Sequence, residues 1–408
     1  MEPSRAEGDH EHPSNKPSPH PAPADPATVK ASSSATAGNS PDEAPLLVVV
    51  TGGSKGIGRS CVESFAKRGA RVLFTYCSDA AAAYQVEQSF QPVGRVQGRR
   101  LDQGDFDGVR AFAAEVDLWR EGREIGTVVN NAALGSATVG AYGGLPPPSQ
   151  YSSSAAATGE WSGAEGYESA RRRADEDMAM MRVNSLGPMW VTEALLPMMM
   201  MPPKVGGASD ETARVETSAE AAAAAAASES EEQPAAGNSP VDEGLGRGGT
   251  APGLPMFLRT DEKKTVLFVG SVGGGSQSVF PGFRAADAMS KAAVAYACKY
   301  FAAQNRGQMK GASRGGGGGV DFVCLCPGAT LTDMFRRSTL DKMEAKGPGE
   351  LERFLEALPQ GRLMLPEEVG EAVYWLCSSP AATMFHGAVI DASAGLAVRP
   401  GVLTEYSI

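Results

Sequence analysis

Hydrophobic and polar positions change their period repeatedly along this chain, and the changes mark out its elements. Leu46 to Val50 is a short, unbroken apolar run, the pattern of a strand covered on both faces of a parallel sheet. At Thr51 it gives way to a glycine-rich turn, and from Arg59 the residues Cys61, Val62, Phe65 and Ala66 recur at helical spacing. The alternation continues with a strand at Arg71–Tyr76, a helix at Ala80–Phe90, a strand at Gly94–Leu101, a helix at Asp105–Leu118 and a strand at Ile125–Val129. Further on, Asp175–Met201 reads as a helix, Thr265–Val269 as a strand and Ala285–Gln304 as a helix. Val320–Leu325 reads as a strand, Pro366–Cys377 as a helix and Gly387–Asp391 as the last strand. Strand and helix in regular exchange predict an α/β fold, a doubly wound, mostly parallel sheet in a single domain.

Four stretches lack either period. Residues 1–45 are rich in Pro, Ser, Ala and charge and read as a disordered tail, which places the domain at 46–408. Inserts near 135–166, 202–261 and 307–319 are dominated by Gly, Ser, Ala, Pro and Glu and interrupt the domain at its loops, where added length costs least. Phe335 to Pro359 reads as a mobile segment over the substrate pocket, without a legible specificity code.

Charge and composition narrow the function classes. The formal net charge is -11, and Arg171–Arg173 is the only basic cluster, so nucleic acid has no electrostatic footprint here. No stretch approaches the roughly 20 apolar residues of a membrane span. The N-terminus resembles neither a secretory signal nor a transit peptide, so a cytoplasmic location is expected. Cys61, Cys77, Cys298, Cys324, Cys326 and Cys377 are scattered over apparent core elements and read as buried reduced thiols. His10, His12 and His20 fall in the tail, leaving His386 alone in the domain, so no metal set is expected.

The turn after the first strand carries the first chemical signal. Thr51, Gly52, Ser54, Lys55, Gly56, Ile57 and Gly58 stand in a T-G-x-x-x-G-x-G arrangement between a strand and a helix. Missing Cβ atoms let the backbone turn sharply and approach a pyrophosphate, which the helix N-terminus favours.

Taken in order, T51-G-G-S-K-G-I-G58, Asp102 in LDQGD, N130-N-A-A133, V183-N184, F268-V-G-S271, a helix with Lys291, P327-G-A-T-L-T-D-M334 and G361-R362 with P366-E-E resemble the short-chain dehydrogenase/reductase family, most nearly its ketoacyl-carrier reductases. The resemblance implies a Rossmann-type fold and a nicotinamide dinucleotide. It assigns the pyrophosphate to the glycine turn, the adenine to Asp102, and support of the sheet and cofactor site to Asn130, with Ala132 beside it. The nicotinamide amide goes to the segment of Pro327, Gly328, Thr330 and Thr332. The motif's usual last glycine is here Ala133. Ser78 falls at the end of the second strand, where NAD-preferring members carry an acid, and Lys55 falls where NADP-preferring members carry a base; NADP(H) is therefore favoured over NAD(H). A homodimer or homotetramer is implied through the helices carrying Asn184 and Lys291.

The reaction so implied is hydride transfer to or from a carbonyl or alcohol substrate. Ser271, Lys291 and Asn184 match the serine, lysine and asparagine of the family's catalytic set. The tyrosine expected four residues before Lys291 is replaced by Asp287. An Asp ordinarily titrates near about 4, against about 10 for a Tyr. Three roles stand open: Asp287 as a protonated acid in a dry pocket, Asp287 as a base in the oxidising direction, or a water held by Lys291 and Asn184 as the proton source. An ion pair between Asp287 and Lys291, one helical turn apart, is the purely structural alternative. Tyr142, Tyr151 and Tyr167 of the first insert are further candidates for a hydroxyl. The rival function is a cofactor-holding protein with little dehydrogenase activity, acting as a sensor or assembly partner.

Overall fold

The computed structural model describes residues 45–90, 94–145, 164–200, 263–275, 284–305 and 319–398. Almost all of the predicted tail and of the second and third inserts lies outside them. The described residues belong to one compact unit.

Seven strands form one parallel sheet in the order β3-β2-β1-β4-β5-β6-β7: β1 (Leu47–Val50), β2 (Arg71–Tyr76), β3 (Val96–Arg100), β4 (Thr127–Asn130), β5 (Lys264–Val269), β6 (Val320–Pro327) and β7 (Val389–Ala392). The sheet predicted as mostly parallel is wholly so. Strand order reverses between β1 and β4, and ligands of open α/β sheets lie beyond the carboxyl ends of the strands at such a point.

Alternate residues of each strand feed opposite faces. Leu47 and Val49 point to a core filled by α3 (Phe106–Trp119), α5 (Gly187–Met200) and α6 (Ala285–Gln304), through Phe112, Val116, Leu195 and Phe301. Val48 and Val50 point to the other core, filled by α1 (Gly56–Ala66), α2 (Ala80–Gln88) and α10 (Pro366–Ser378), through Phe65, Val86 and Val373. Each fully buried aliphatic or aromatic side chain of this kind contributes about 1.5–3 kcal/mol.

Three regions differ from the pattern reading. The helix predicted from Asp175 begins earlier, with α4 (Ala164–Met181), and a π-turn at Arg182–Leu186 separates it from α5. Its first turns carry no apolar stripe, so periodicity does not reveal them. The segment read as mobile is instead folded: α7 (Asp333–Phe335), a π-turn at Arg336–Leu340, α8 (Asp341–Lys346) and α9 (Glu350–Ala357) close a third core of Val272, Leu340, Met343, Phe354 and Leu358. These helices are too short for a repeat to stand out. The described start of the first insert, finally, is folded, with a 3-10 turn at Val139–Ala141 and Tyr142 buried against Met180 and Val183.

Candidate active site

The glycine turn is shaped by what its residues lack. Gly52 and Gly56 have φ of 67° and 51°, where only glycine is unstrained. A Cβ on Gly52 would sit 2.8 Å from the Ala132 Cα, and one on Gly58 would run into the Gly52 carbonyl and the Asn131 side chain. Thr51, fully buried, locks the turn: its Oγ1 accepts from the N–H groups of Asn131 and Ala132, both at 3.0 Å. Asn131 Nδ2 donates back to the carbonyls of Thr51 and Gly52 at 3.0 and 3.2 Å. On the other side, Gly52 N–H donates to Thr75 Oγ1 and Gly53 N–H to the Thr75 carbonyl. Helix α1 starts inside this turn, with no side-chain cap and no acid in its first turn. Its leading N–H groups thus remain available to an anion. Ser54 lies within the turn, and Ile57 packs on the core beneath α1.

Lys55 and the end of β2 meet. Lys55 Nζ lies 2.5 Å from Asp79 Oδ2, and the other Asp79 oxygen caps α2 by accepting from Ala82 N–H at 2.9 Å. The Lys55 ammonium, and after it the Ala82 N–H, hold the Asp79 carboxyl below the usual carboxylate range. An acid therefore does stand beyond β2, next to the exposed Ser78; an Asp followed by an alanine run is a helix-start signal that would have located it.

At the end of β3, Asp102 accepts from Gly104 N–H at 2.9 Å and from the Tyr142 hydroxyl at 2.6 Å. Tyr142 is thereby placed at Asp102 and not at the catalytic set. Tyr151 and the side chain of Tyr167 lie outside the described residues. Gln103, buried next to Asp102, donates to the carbonyls of Ala132 and Val183 at 2.8 and 2.7 Å and ties the Asn-Asn-Ala-Ala turn to the π-turn. Asn130 is buried, its Nδ2 donating to Thr192 Oγ1 at 2.9 Å, and its Oδ1 has no hydrogen-bond partner.

Asn184 sits in the π-turn, and its side chain is fully committed. Its Oδ1 accepts from Leu134 N–H at 2.7 Å, while its Nδ2 donates to the Leu134 carbonyl at 2.8 Å and lies 3.1 Å from Ser290 Oγ. That side chain is a clasp, with its amide turned to Leu134 and Ser290.

Lys291 is half-buried; burial draws its ammonium below the usual lysine value, opposed by Asp287 first and then by the sulfurs of Cys324 and Cys326. Those two cysteines, buried on β6, lie 3.9 Å apart. Cys326, faced by Cys324, the Ser271 N–H and Lys291, is drawn toward the thiolate, and Cys324 is pushed up. Ser271 Oγ accepts from Gly273 N–H at 3.2 Å.

Asp287 does not make the ion pair with Lys291 that stood as the structural alternative. Its Oδ2 instead accepts from the Oγ of Ser136 at 2.9 Å and from the Ser136 N–H at 3.2 Å, from the start of the first insert. Arg284, just before α6, is bound by Asp177 at 2.5 Å and Glu176 at 2.7 Å, which fixes this helix start against α4. Nothing local in the sequence marks Ser136, which acts across 151 positions.

The loop after β6 closes over the glycine turn. Pro327 ends β6 and accepts from Val272 N–H; Thr330 Oγ1 donates to the Gly328 carbonyl at 3.0 Å; Thr332 Oγ1 accepts from Phe335 N–H and caps α7. A Cβ on Gly56 would lie 3.1 Å from Thr332 Cγ2, so the two loops face one another. All six cysteines are free, Cys77 alone being exposed. Among the described residues no group of three or more His, Cys, Asp or Glu is placed to hold a metal ion, and no helix is long and apolar enough to cross a membrane.

Residues 46–145 match the family model described as short chain dehydrogenase. A curated relative, retinol dehydrogenase 11 of Mus musculus, is 33% identical over 91 residues, which are 22% of this chain and 28% of that protein. This chain thus matches little more than a quarter of that relative's length. Among solved structures, the Pseudomonas aeruginosa RhlG/NADP active-site complex shares 19% identity with a TM-score of 0.53, covering 87% of this chain and 97% of that one. An actinorhodin polyketide ketoreductase with NADPH shares 17% identity with a TM-score of 0.52, covering 86% and 97%. The Thermoplasma acidophilum aldohexose dehydrogenase shares 18% identity with a TM-score of 0.51, covering 87% and 95%. At these identities the structural likeness concerns the fold.

Proposed function

We propose, from the match of residues 46–145 to the short chain dehydrogenase model and the fold the described chain shares with the solved structures above, that this protein is an oxidoreductase acting on a carbonyl or alcohol with a nicotinamide dinucleotide. The observation that carries the reading is the glycine turn: bare backbone at Gly52 and Gly58, held by Thr51 and Asn131, in front of an uncapped helix start. This is a cradle that a Cβ would fill and a pyrophosphate fits. When bound, the dinucleotide supplies or takes up the hydride.

The chain's own groups do the rest. The turn residues Thr51 to Gly58 hold the phosphates. Asp102, just beyond β3, and Asn130, the last residue of β4, lend support, and Gly328, Thr330 and Thr332 close over the turn. Ser271 polarises the substrate oxygen, and Lys291, whose ammonium has no full counter-charge, holds hydroxyls and favours negative charge on that oxygen. Asp287 accepts two hydrogen bonds from Ser136, an arrangement that suits a base receiving the alcohol proton in the oxidising direction. Lys55 is the cation for a 2'-phosphate, which must draw it from Asp79. NADP(H) is accordingly the preferred form. Exposed Met178, Leu186, Met289, Tyr296 and Tyr300, on α4, the π-turn and α6, support a homodimer or homotetramer.

The test pairs binding with turnover. Fluorescence titration of Lys55→Glu is expected to weaken NADPH by about tenfold more than NADH, since an acid there repels only the extra phosphate; equal losses would sink the preference. Oxidation of NADPH across a carbonyl panel and reduction of NADP across an alcohol panel are expected for the native protein and lost in Lys291→Ala. Tight binding with no turnover on either panel would leave a cofactor holder in place of an enzyme.

A further inference from the structure

The carboxylate of Asp102 is unusually well held for a residue in a turn. It follows β3, the outermost strand of the half-sheet β3-β2-β1, and so lies beyond the carboxyl ends on the side where the first mononucleotide half of such a fold seats its nucleoside. One oxygen accepts from Gly104 N–H at 2.9 Å and the other from the Tyr142 hydroxyl at 2.6 Å. Tyr142 is itself fixed: its ring is buried among Val139, Ala179, Met180 and Val183, and Arg182 faces its hydroxyl from the π-turn. Even Gly104 is part of the fit, since a Cβ there would stand 2.9 Å from the Tyr142 hydroxyl and 3.1 Å from the Asp102 Oδ1.

A carboxylate pinned by two donors cannot turn away, and it can only accept. It therefore welcomes a base edge that presents N–H and opposes one that presents a carbonyl oxygen, and leaving a polar group unpaired is what makes such discrimination large. We propose that Tyr142 is a positioning residue which, by holding Asp102, makes this site select a nucleoside base with an exocyclic amine, such as adenine, over one with a carbonyl at the same place. The inference rests on the dinucleotide reading above. Burial and the neighbouring carboxylate push the Tyr142 phenol well above the usual tyrosine value, so it remains a donor throughout the neutral range.

The experiment measures dissociation constants of the native protein for NADPH and for reduced nicotinamide hypoxanthine dinucleotide phosphate, in which a carbonyl replaces the exocyclic amine of the base and the ring nitrogen beside it carries a proton. The native protein is expected to favour NADPH by about tenfold or more. Tyr142→Phe keeps the packed ring and removes the donor; the ratio is expected to fall to within about threefold, mostly through weaker NADPH. Tyr142→Leu, which suits the same apolar surroundings, serves if the Phe variant does not fold. In an Asp102→Asn background, Tyr142→Phe is expected to change the ratio no further, because the tyrosine acts through the carboxylate. An unchanged ratio in the Tyr142 variants, or equal losses for both nucleotides, overturns the proposal and makes the contact purely structural. A native protein that binds both forms alike overturns it while leaving the cofactor reading intact. A native protein that binds neither removes both.

Discussion

The glycine turn at Thr51–Gly58 and the first turn of α6 both follow the carboxyl end of a strand, yet they are built in opposite ways. The first is made of backbone: its shape comes from positive φ at Gly52 and Gly56 and from contacts too close for any side chain. The second is made of side chains drawn from far away: Ser136 on Asp287, Glu176 and Asp177 on Arg284, and Asn184 on Ser290. A backbone-made site tolerates almost no substitution but needs few partners. A side-chain-made site can change its chemistry one residue at a time, as the Ser136-held carboxylate of Asp287 illustrates.

If that contrast is right, the largest effect belongs to the turn. Gly58→Ala drives a Cβ into the Gly52 carbonyl, and overpacking of this kind costs about 1–3 kcal/mol or more. Nucleotide affinity is expected to fall by more than about a hundredfold, and the melting temperature should drop as well; a variant that binds NADPH normally would show that the turn is less rigid than its contacts imply. Next comes Asn184→Ala, which leaves the N–H and carbonyl of Leu134 without their clasp. A loss of about 2–3 kcal/mol in urea unfolding is expected. Asn184→Asp should recover only part of it, because a carboxylate accepts from Leu134 but cannot donate to it. Similar stability for all three proteins would mean that the clasp merely accompanies the π-turn.

The smallest effect concerns pH. Asp79 titrates below its unfolded value because Lys55 and the Ala82 N–H favour its charged form. It therefore adds stability above about pH 4, the unfolded value, and that contribution is lost as pH falls toward its lower folded value. Melting curves at pH 5 and pH 3 should show a slightly larger acid-induced drop for the native protein than for Lys55→Met. Identical drops would mean that solvent screens the pair completely.

The same contrast explains what could be read in the chain. Buried β-branched runs such as Leu47–Val50, the glycine spacing and the helix of Phe112 and Val116 are local patterns, and the fold followed from them. Ser271, Lys291 and Asn184 stand out only through the order of the motifs that contain them, not through any local period. Tyr142 and Ser136 were not assigned their partners, because hydrogen bonds across 40 and 151 positions leave no trace in local spacing. The helices between Asp333 and Ala357 were missed for a different reason. Each is shorter than the span over which a 3.6-residue repeat becomes visible, so only tertiary packing on Phe354 and Met343 stabilises them.

The strand order also bears on how the molecule comes together. Residues β1 to β4 can pair within a chain of fewer than 90 positions, but β5 must find β4 across the whole stretch from Asn130 to Lys264. Closing so long a loop costs little more than closing a shorter one, since each doubling adds only about 0.6 kcal/mol. The added length between those strands is therefore nearly neutral for equilibrium stability and weighs instead on time. The half with the glycine turn can assemble early from nearby segments, whereas the half carrying Ser271 and Lys291 waits for a distant search, so the two halves of one sheet are expected to form at different times.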